Sequence, residues 1–199
     1  MHGALGDAAQ LRDLRRREAG EYAPGEGLGE FAVLGVRRVQ GLIEIESSMG
    51  ISFRQCGFYN NPGNGIAATG SELTVVDCDF EGAEAAAIHS QNGKGLMLRG
   101  NRIAKAGNAG IRIWRDEPGP DGSIVTGNHI AKVSANDGGN GQNGNGISIY
   151  KADGVIVADN VIADCAFSAV RVNAGTDTQI RGNTCLRSGE VAIFSEFAF

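Results

Sequence analysis

The sequence has little proline, few aromatic residues and no long apolar run. Only 4 of its 199 residues are proline and 6% are aromatic, so the 31 glycines belong to neither a collagen-like nor a proline-rich segment. No stretch approaches the roughly 18 consecutive apolar residues of a membrane-spanning helix, so we expect no membrane span. The formal net charge is −5, which argues against a nucleic-acid-binding surface.

Zinc, redox and export motifs are also missing from the sequence. The spacing of Cys56, Cys78, Cys165 and Cys185 fits no zinc or redox pattern, so we expect four free, mostly buried thiols. Arginine groups at 15–17 and 37–38 are not followed by an apolar segment, so neither works as a twin-arginine signal as it stands.

A repeat is the strongest pattern in the chain. Each copy has an apolar residue, then Asn or Cys three positions later, then another apolar residue two positions further on. The Asn/Cys positions are Cys56, Cys78, Asn101, Asn128, Asn160 and Asn183. The apolar positions before them are Phe53, Val75, Leu98, Val125, Val157 and Ile180, and those after them are Phe58, Phe80, Ile103, Ile130, Ile162 and Cys185.

A second short strand begins about ten residues after most of the Asn/Cys positions, as in Gly110-Ile111-Arg112-Ile113. In one copy it comes about nineteen residues later, as Gly146-Ile147-Ser148-Ile149. Ile43 and Ile45 suggest the same strand in an earlier, less regular copy. Strands this short need to pair with their copies above and below, which buries continuous apolar columns.

The repeat predicts an all-β, right-handed, single-stranded parallel β-helix over residues 25–199. We expect three short strands in each of six to seven coils, with the Asn residues stacked as a ladder at a turn. Residues 1–24 form a separate N-terminal segment, in which strong helix formers at 8–19 predict a short capping helix. The end near Phe194 and Phe197 lacks a polar cap, so we expect a truncated C-terminus or an oligomer formed through this end.

Four stretches carry a family resemblance: Gly110 to Arg115, Gly141 to Ile147, Asp164 to Arg171 and Gly189 to Ala192. Over about residues 40–199 the chain resembles bacterial right-handed β-helix repeat proteins, a pectate-lyase-like group that includes polygalacturonases and mannuronan epimerases. More narrowly, it resembles a twin-arginine-translocated repeat family. That resemblance implies export to the periplasm or cell exterior and no established activity. The missing signal and the absence of later coils depart from that family.

Two insertions interrupt the regular coil length of 22–23 residues. One lies within residues 114–123 and the other, which is longer, within 132–145. They follow and precede neighbouring copies of the same strand, so we expect both as loops beside one face. The predicted substrate-binding residues of this face and its loops are Arg112, Trp114, Arg115, Gln142, Asn143, Ser148, Tyr150, Arg171 and Asn173.

An acidic polysaccharide or another cell-envelope glycan is the expected ligand, because Arg pairs with carboxylates and Trp offers a flat apolar surface. The alternative is a polysaccharide lyase or C5-epimerase, with Arg112 or Arg171 neutralising a carboxylate and His89, Tyr150 or Lys151 transferring the proton. Hydrolysis ranks lower, because the strand face offers no acidic pair and only the insertions supply Asp and Glu.

Simpler interpretations remain open for these residues. The outward arginines are alternatively solvated ladder residues, and Trp114 is alternatively an anchor between two mutually bracing loops. No metal or other cofactor is expected, because His89 has no His or Cys partner at ligand spacing. Calcium is retained as an alternative on the insertion carboxylates. These are Asp116, Glu117, Asp121 and Asp137.

Overall fold

The computed structural model describes residues 41–139 and 141–197, and all regular structure in them is β-strand. The helix expected at residues 8–19 lies outside this range. The strands are β1 (Gly41–Glu46), β2 (Ile51–Arg54), β3 (Gly57–Tyr59), β4 (Asn64–Thr69), β5 (Leu73–Val76), β6 (Asp79–Glu81), β7 (Ala86–Gln91), β8 (Met97–Arg99), β9 (Arg102–Ala104), β10 (Ala109–Pro120), β11 (Ile124–Thr126), β12 (His129–Val133), β13 (Asn145–Asp153), β14 (Ile156–Ala158), β15 (Val161–Cys165), β16 (Val170–Asn173), β17 (Gln179–Arg181), β18 (Thr184–Leu186) and β19 (Ile193–Glu196).

The strands form three parallel sheets, to which each full coil contributes one strand. Sheet A has the order β1-β4-β7-β10-β13-β16-β19, sheet B the order β17-β14-β11-β8-β5-β2, and sheet C the order β18-β15-β12-β9-β6-β3. The prediction of a right-handed β-helix with three strands per coil and about seven coils is confirmed. The early coil predicted from Ile43 and Ile45 is strand β1, which pairs with β4.

The core consists of stacked apolar columns, one or two for each sheet. On sheet B the column predicted from the repeat is in register from Phe53 through Val75 and Leu98 to Val157. Its members are buried, apart from the partly buried Ile180 at the last step. The sheet C column stacks in the same way, and begins with Phe58 and Phe80, whose rings lie 4.5 Å apart. The predicted register is therefore confirmed.

The asparagine ladder also forms as predicted. The backbone N–H of Asn101 donates to Oδ1 of Asn128 at 2.9 Å, and that of Asn128 donates to Oδ1 of Asn160 at 2.9 Å. Each side-chain amide also donates to a carbonyl of the preceding coil, as Asn128 does to Leu98. Cys78 continues the ladder by accepting from the Cys56 backbone N–H at 3.4 Å. The ladder therefore satisfies buried polar groups at the corner between sheets B and C.

Single residues with positive φ make the bends between the sheets. The residue just before each ladder position always has such a φ, from Gln55 at 53° to Gly182 at 65°. A second series precedes sheet A and includes Lys105 at 55°, and a third follows sheet A and includes Asn92 at 57°. Left-handed φ is uncommon outside glycine, Asn and Asp, so these corners impose a definite backbone cost on the other residue types.

All four cysteines are unpaired in the structure, as predicted. Cys78 and Cys165 are buried, whereas Cys56 and Cys185 are half-buried, so only two of the four thiols fit the expectation of burial fully. Burial raises the pKa of Cys78 and of Cys185, and it raises that of Cys165 to about 12. The thiols therefore behave as small apolar residues.

The last described coil is the least covered. Ile193 and Val191 are exposed, and Phe197 is 66% exposed. Ile193 occupies a column whose earlier members, Val170 and Ile147, are buried. An oligomer through this end stays a prediction.

Candidate functional site

The two insertions lie along opposite sides of sheet A, one before its strands begin and one where they end. The second lies between β12 and β13, where residues 134–139 and 141–144 form a loop and Asp137 and Asn108 exchange two hydrogen bonds of 2.8 and 3.0 Å. The first was expected to be a loop, and this was wrong. It extends β10 to Pro120, and its pairing with β13 shifts register between Trp114 and Gly119. This register shift accommodates the extra residues while β10 stays paired with β13.

Two rows of outward side chains run along sheet A between these insertions. The predicted row is confirmed in register as His89, Arg112, Ser148, Arg171 and Phe194. Two positions further along each strand, a second row places Gln91, Trp114, Tyr150, Asn173 and Glu196 side by side. The structure therefore brings the predicted strand residues to one face.

Arg112 is a half-buried cation at the centre of this face. Its Nη2 donates to Oδ1 of Asn143 at 2.6 Å, and its guanidinium lies 4.8 Å from the centroid of the Trp114 ring. Its Nε is buried and has no hydrogen-bond partner among the described residues. Burial lowers the pKa of Arg112, and the charge of Asp137 partly offsets this. No described carboxylate forms an ion pair with Arg112.

His89 lies beside Arg112 in the preceding coil. Burial lowers the pKa of His89 to about 4, with a further contribution from the neighbouring Arg112 charge. Its ring is 5.6 Å from that of Trp114, and its buried Nδ1 has no partner among the described groups. The imidazole is therefore neutral near pH 7, and Arg112 supplies the charge at this point of the face.

Trp114 connects two coils and also presents an aromatic surface. Its Nε1 donates to Oγ of Ser148 at 3.1 Å, and its ring is 6.1 Å from that of Tyr150 in an edge-on arrangement. Trp114 is half-buried and Tyr150 is 36% exposed. Trp114 is therefore anchored through one edge of its ring, and part of the ring surface stays accessible.

Arg171 differs from Arg112 because it is neutralised within the chain. It is 7% exposed, its Nε donates to Oε1 of Glu196 at 3.0 Å, and its Nη1 lies 3.6 Å from Oε2 of Glu190. Its Nη2 forms a further ion pair with Glu196. A side chain at Gly141 would overlap this guanidinium, so the second insertion passes directly over it. The interpretation of Arg171 as a solvated ladder residue was wrong, because its neighbours enclose it.

Glu190 and Glu196 are the residues that sequence reasoning missed. The expectation that only the insertions bring carboxylates to this face was wrong, because Glu196 occupies the second outward row next to Asn173. Asn173 donates to Glu196 at 2.8 Å, and Ser168 donates to Glu190 at 2.8 Å. Extending the strand register by one coil beyond Asn173 would have placed Glu196 here.

The first insertion is held in place by its own polar groups. Asp116 accepts hydrogen bonds from Gln91 at 2.7 Å and from Asn92 at 2.6 Å, and its carbonyl accepts one from Lys151 at 2.6 Å. Arg115 donates to the carbonyl of Gly93 at 3.0 Å. Arg115 and Lys151 thus serve to brace the first insertion against sheet A.

Of the remaining predicted site residues and insertion carboxylates, Asn143 and Asp137 interact with Arg112, and the others are dispersed. Asn143 also donates to the carbonyl of Gly138 at 2.9 Å, and the Gln142 amide lies against Gly139. Asp121 is buried and hydrogen-bonded to Ser123, and burial raises its pKa. In the described part of the chain, no three His, Cys, Asp or Glu side chains are grouped closely enough to hold a metal ion.

The family follows from the chain's match to a known pattern together with this coil geometry. Residues 36–184 match the model described as right handed beta helix region. The chain belongs to the right-handed β-helix family. No curated protein and no solved structure matches it. Across the described residues of this β-helix, no helix is long and apolar enough to cross a membrane.

Proposed function

We propose that this β-helix binds an acidic polysaccharide along the sheet A trough, which we define by His89, Arg112, Trp114, Ser148 and Tyr150. A cell-envelope glycan is the expected source, in line with a periplasmic or extracellular location. The observation that carries the proposal is the guanidinium of Arg112, which is partly desolvated and has no ion-pair partner within the described chain.

A carboxylate is the group that best complements Arg112. A guanidinium presents parallel N–H donors that match the two oxygens of a carboxylate, and such charge-assisted bonds are about twice as strong as neutral ones. Here Oδ1 of Asn143 already accepts a hydrogen bond from one of these N–H groups. A uronate carboxylate would replace or join this neutral acceptor and pair with the buried charge.

The aromatic residues provide a surface for the sugar rings. Trp114 and Tyr150 stand side by side in the second outward row, on adjacent coils. Sugar rings have apolar C–H faces, which pack on partly exposed aromatic rings. One insertion precedes the strands of sheet A and the other follows them, so a bound chain would run between them along the helix axis.

Proton abstraction by a lyase or C5-epimerase is a second candidate, and His89 is the observation that favours it. Its neutral imidazole lies beside the cation that would hold the carboxylate. A pKa of about 4 nevertheless makes His89 a weak base near pH 7, where catalysis favours a matched pKa. Binding is therefore the better supported function.

The test compares Arg112→Gln and Trp114→Ala with a matched control, Arg99→Gln. Arg99 is an exposed arginine on sheet B, so its replacement changes charge equally without touching the trough. We expect the parent to bind uronate-containing oligosaccharides in calorimetry, and each trough variant to bind at least about tenfold more weakly, the effect of about 1.4 kcal/mol. Higher salt should also weaken binding.

Two outcomes would contradict the proposal. One is absence of binding to any uronate-containing glycan; the other is unchanged affinity in both trough variants. Circular dichroism of each variant checks that folding is retained. In the same samples, ultraviolet absorbance of unsaturated products detects a lyase, and loss of C5 tritium or deuterium to solvent detects an epimerase.

A further inference from the structure

The two ends of the face that contains the trough differ in charge. At the Arg112 end, one guanidinium lacks an ion pair, although the charge of Asp137 acts on it, and the neighbouring His89 is neutral. At the Arg171 end, a single guanidinium is surrounded by two carboxylates, those of Glu190 and Glu196. The second end therefore carries one net negative charge, although it contains an equivalent arginine.

The distance between the two ends matches the spacing of charges on a sugar chain. Arg112 and Arg171 are separated by Ser148, which makes two coil steps, or roughly 10 Å at about 4.8 Å per step. A sugar unit is close to one coil step in length. A polymer composed only of uronates would therefore bring further carboxylates beside Glu190 and Glu196 whenever one of them pairs with Arg112.

Neutral sugars suit the second end better than uronates do. The described contacts of Glu196 all use Oε1, which leaves Oε2 to accept a hydrogen bond from a hydroxyl. The Arg171 guanidinium lies over the Phe194 ring, 4.5 Å from the ring centroid, and Phe194 is half-buried. Carboxylates placed near carboxylates cost free energy, whereas hydroxyls donate to them.

We propose that the trough selects glycans in which a uronate is separated from the next by neutral sugars, and that it discriminates against homopolyuronates. This inference rests on the proposed function. Arg112 takes the single carboxylate, the aromatic rings hold the adjoining sugar, and Glu196 accepts hydroxyls of the neutral sugars beyond it. Glu190 and Glu196 are thus specificity-determining residues.

The experiment measures dissociation constants for two probes of equal length. One is an oligosaccharide from deacylated gellan, which has one glucuronate among neutral sugars in each repeat unit, and the other is an oligogalacturonate. We expect the parent to bind the gellan fragment at least about tenfold more tightly, a difference of about 1.4 kcal/mol. Raising the salt concentration should narrow that ratio, because the discrimination is electrostatic.

Two variants assign the discrimination to the carboxylates. The double variant Glu190→Gln, Glu196→Gln should tighten oligogalacturonate binding and narrow the ratio of the two dissociation constants. Glu72→Gln, an exposed control outside the trough, should leave that ratio unchanged. Because the double variant leaves Arg171 buried without a counter-ion, a triple variant adds Arg171→Gln and should also narrow the ratio.

The outcomes separate the two proposals. If neither probe binds, the proposed glycan-binding function is wrong and this inference fails with it. If both probes bind the parent equally, or the ratio is insensitive to salt and to both variants, binding stands and the selectivity is wrong. The salt series on the parent gives a result even if the variants fail to fold.

Discussion

The indole Nε1 of Trp114 donates a hydrogen bond to Oγ of Ser148, 3.1 Å away on the next coil. Trp114, which offers an aromatic surface to a ligand, is therefore held in place by a residue of the neighbouring coil. Rigid attachment reduces the entropy lost when a ligand orders the ring.

A double-mutant cycle tests this coupling. Trp114→Phe removes the indole donor and Ser148→Ala removes its acceptor, so each should destabilise the fold by about 1 kcal/mol. The double variant should cost about 1 kcal/mol less than the sum of the single changes, because both remove the same bond. Urea unfolding measures the three values, and strictly additive effects would show that this bond contributes nothing.

Removing one step of the asparagine ladder should destabilise the β-helix strongly. Asn128→Ala leaves the buried Asn101 backbone N–H without its side-chain acceptor and removes the amide bond to the Leu98 carbonyl. At about 1–3 kcal/mol for the unpaired N–H and about 1 kcal/mol for the lost bond, we expect a total loss of about 2–4 kcal/mol. Asn183→Ala, at the half-buried end of the same ladder, is the matched comparison and should cost less. Equal losses in urea unfolding would contradict a burial-dependent ladder.

His89 should make stability depend on pH between about 4 and 6.5. Its folded-state pKa of about 4 lies below the ordinary 6.5, so the unfolded chain binds the extra proton first as pH falls. The free energy of unfolding is therefore unaffected by His89 protonation above pH 6.5. It decreases as pH falls toward 4, by at most about 3 kcal/mol in total. Below pH 4 this contribution no longer changes.

Thermal unfolding across that pH window gives the measurement. His89→Gln should flatten the decline, and the same replacement at His129, which is exposed on sheet C, is the control for residue type. Arg112→Gln should raise the pKa of His89, because the Arg112 charge is one cause of its depression. An NMR titration of His89 near the ordinary value in the parent would contradict the buried, neutral imidazole.

The four thiols should all remain reduced and should differ in reactivity. Burial holds the pKa of Cys165 at about 12, so almost none of it is thiolate at pH 8, and reaction with an alkylating agent should be very slow in the folded protein. After unfolding without reductant, mass spectrometry should show four alkylated cysteines. Two cysteines that stay unalkylated, with two hydrogen atoms fewer than the pair of thiols, would reveal a disulfide that the stacked coils do not contain.

Most of the coil register was predictable because it depends on residue type at fixed spacing. Val75, Leu98 and Val125 recur three residues before the ladder position, and burial of one apolar side chain per step contributes roughly 1.5–3 kcal/mol before entropy. A one-residue slip would turn these side chains outward. The pattern therefore identified both the columns and the outward row that contains Arg112.

The contacts of the candidate site were less predictable because they join residues far apart in the chain. The register places Glu196 on this face, but nothing in the sequence indicates that Glu190 also reaches Arg171 while Arg112 lacks an ion-pair partner. The first insertion likewise shows no periodicity that indicates a strand with a register shift. Such features depend on side-chain reach and on how two coils pair, which local spacing does not record.

The left-handed corners divide the coil into positions where its length is constant and positions where it varies. Every described coil keeps one such residue before the ladder position, whereas at the exit from sheet A the third series is interrupted where β10 runs on to Pro120. Within the described coils, both insertions therefore lie beside sheet A and neither lies at the ladder corner. Two homologous chains of different length should align without gaps at the ladder and diverge at the edges of the sheet that bears Arg112, so recognition can change while the stack of coils is inherited intact.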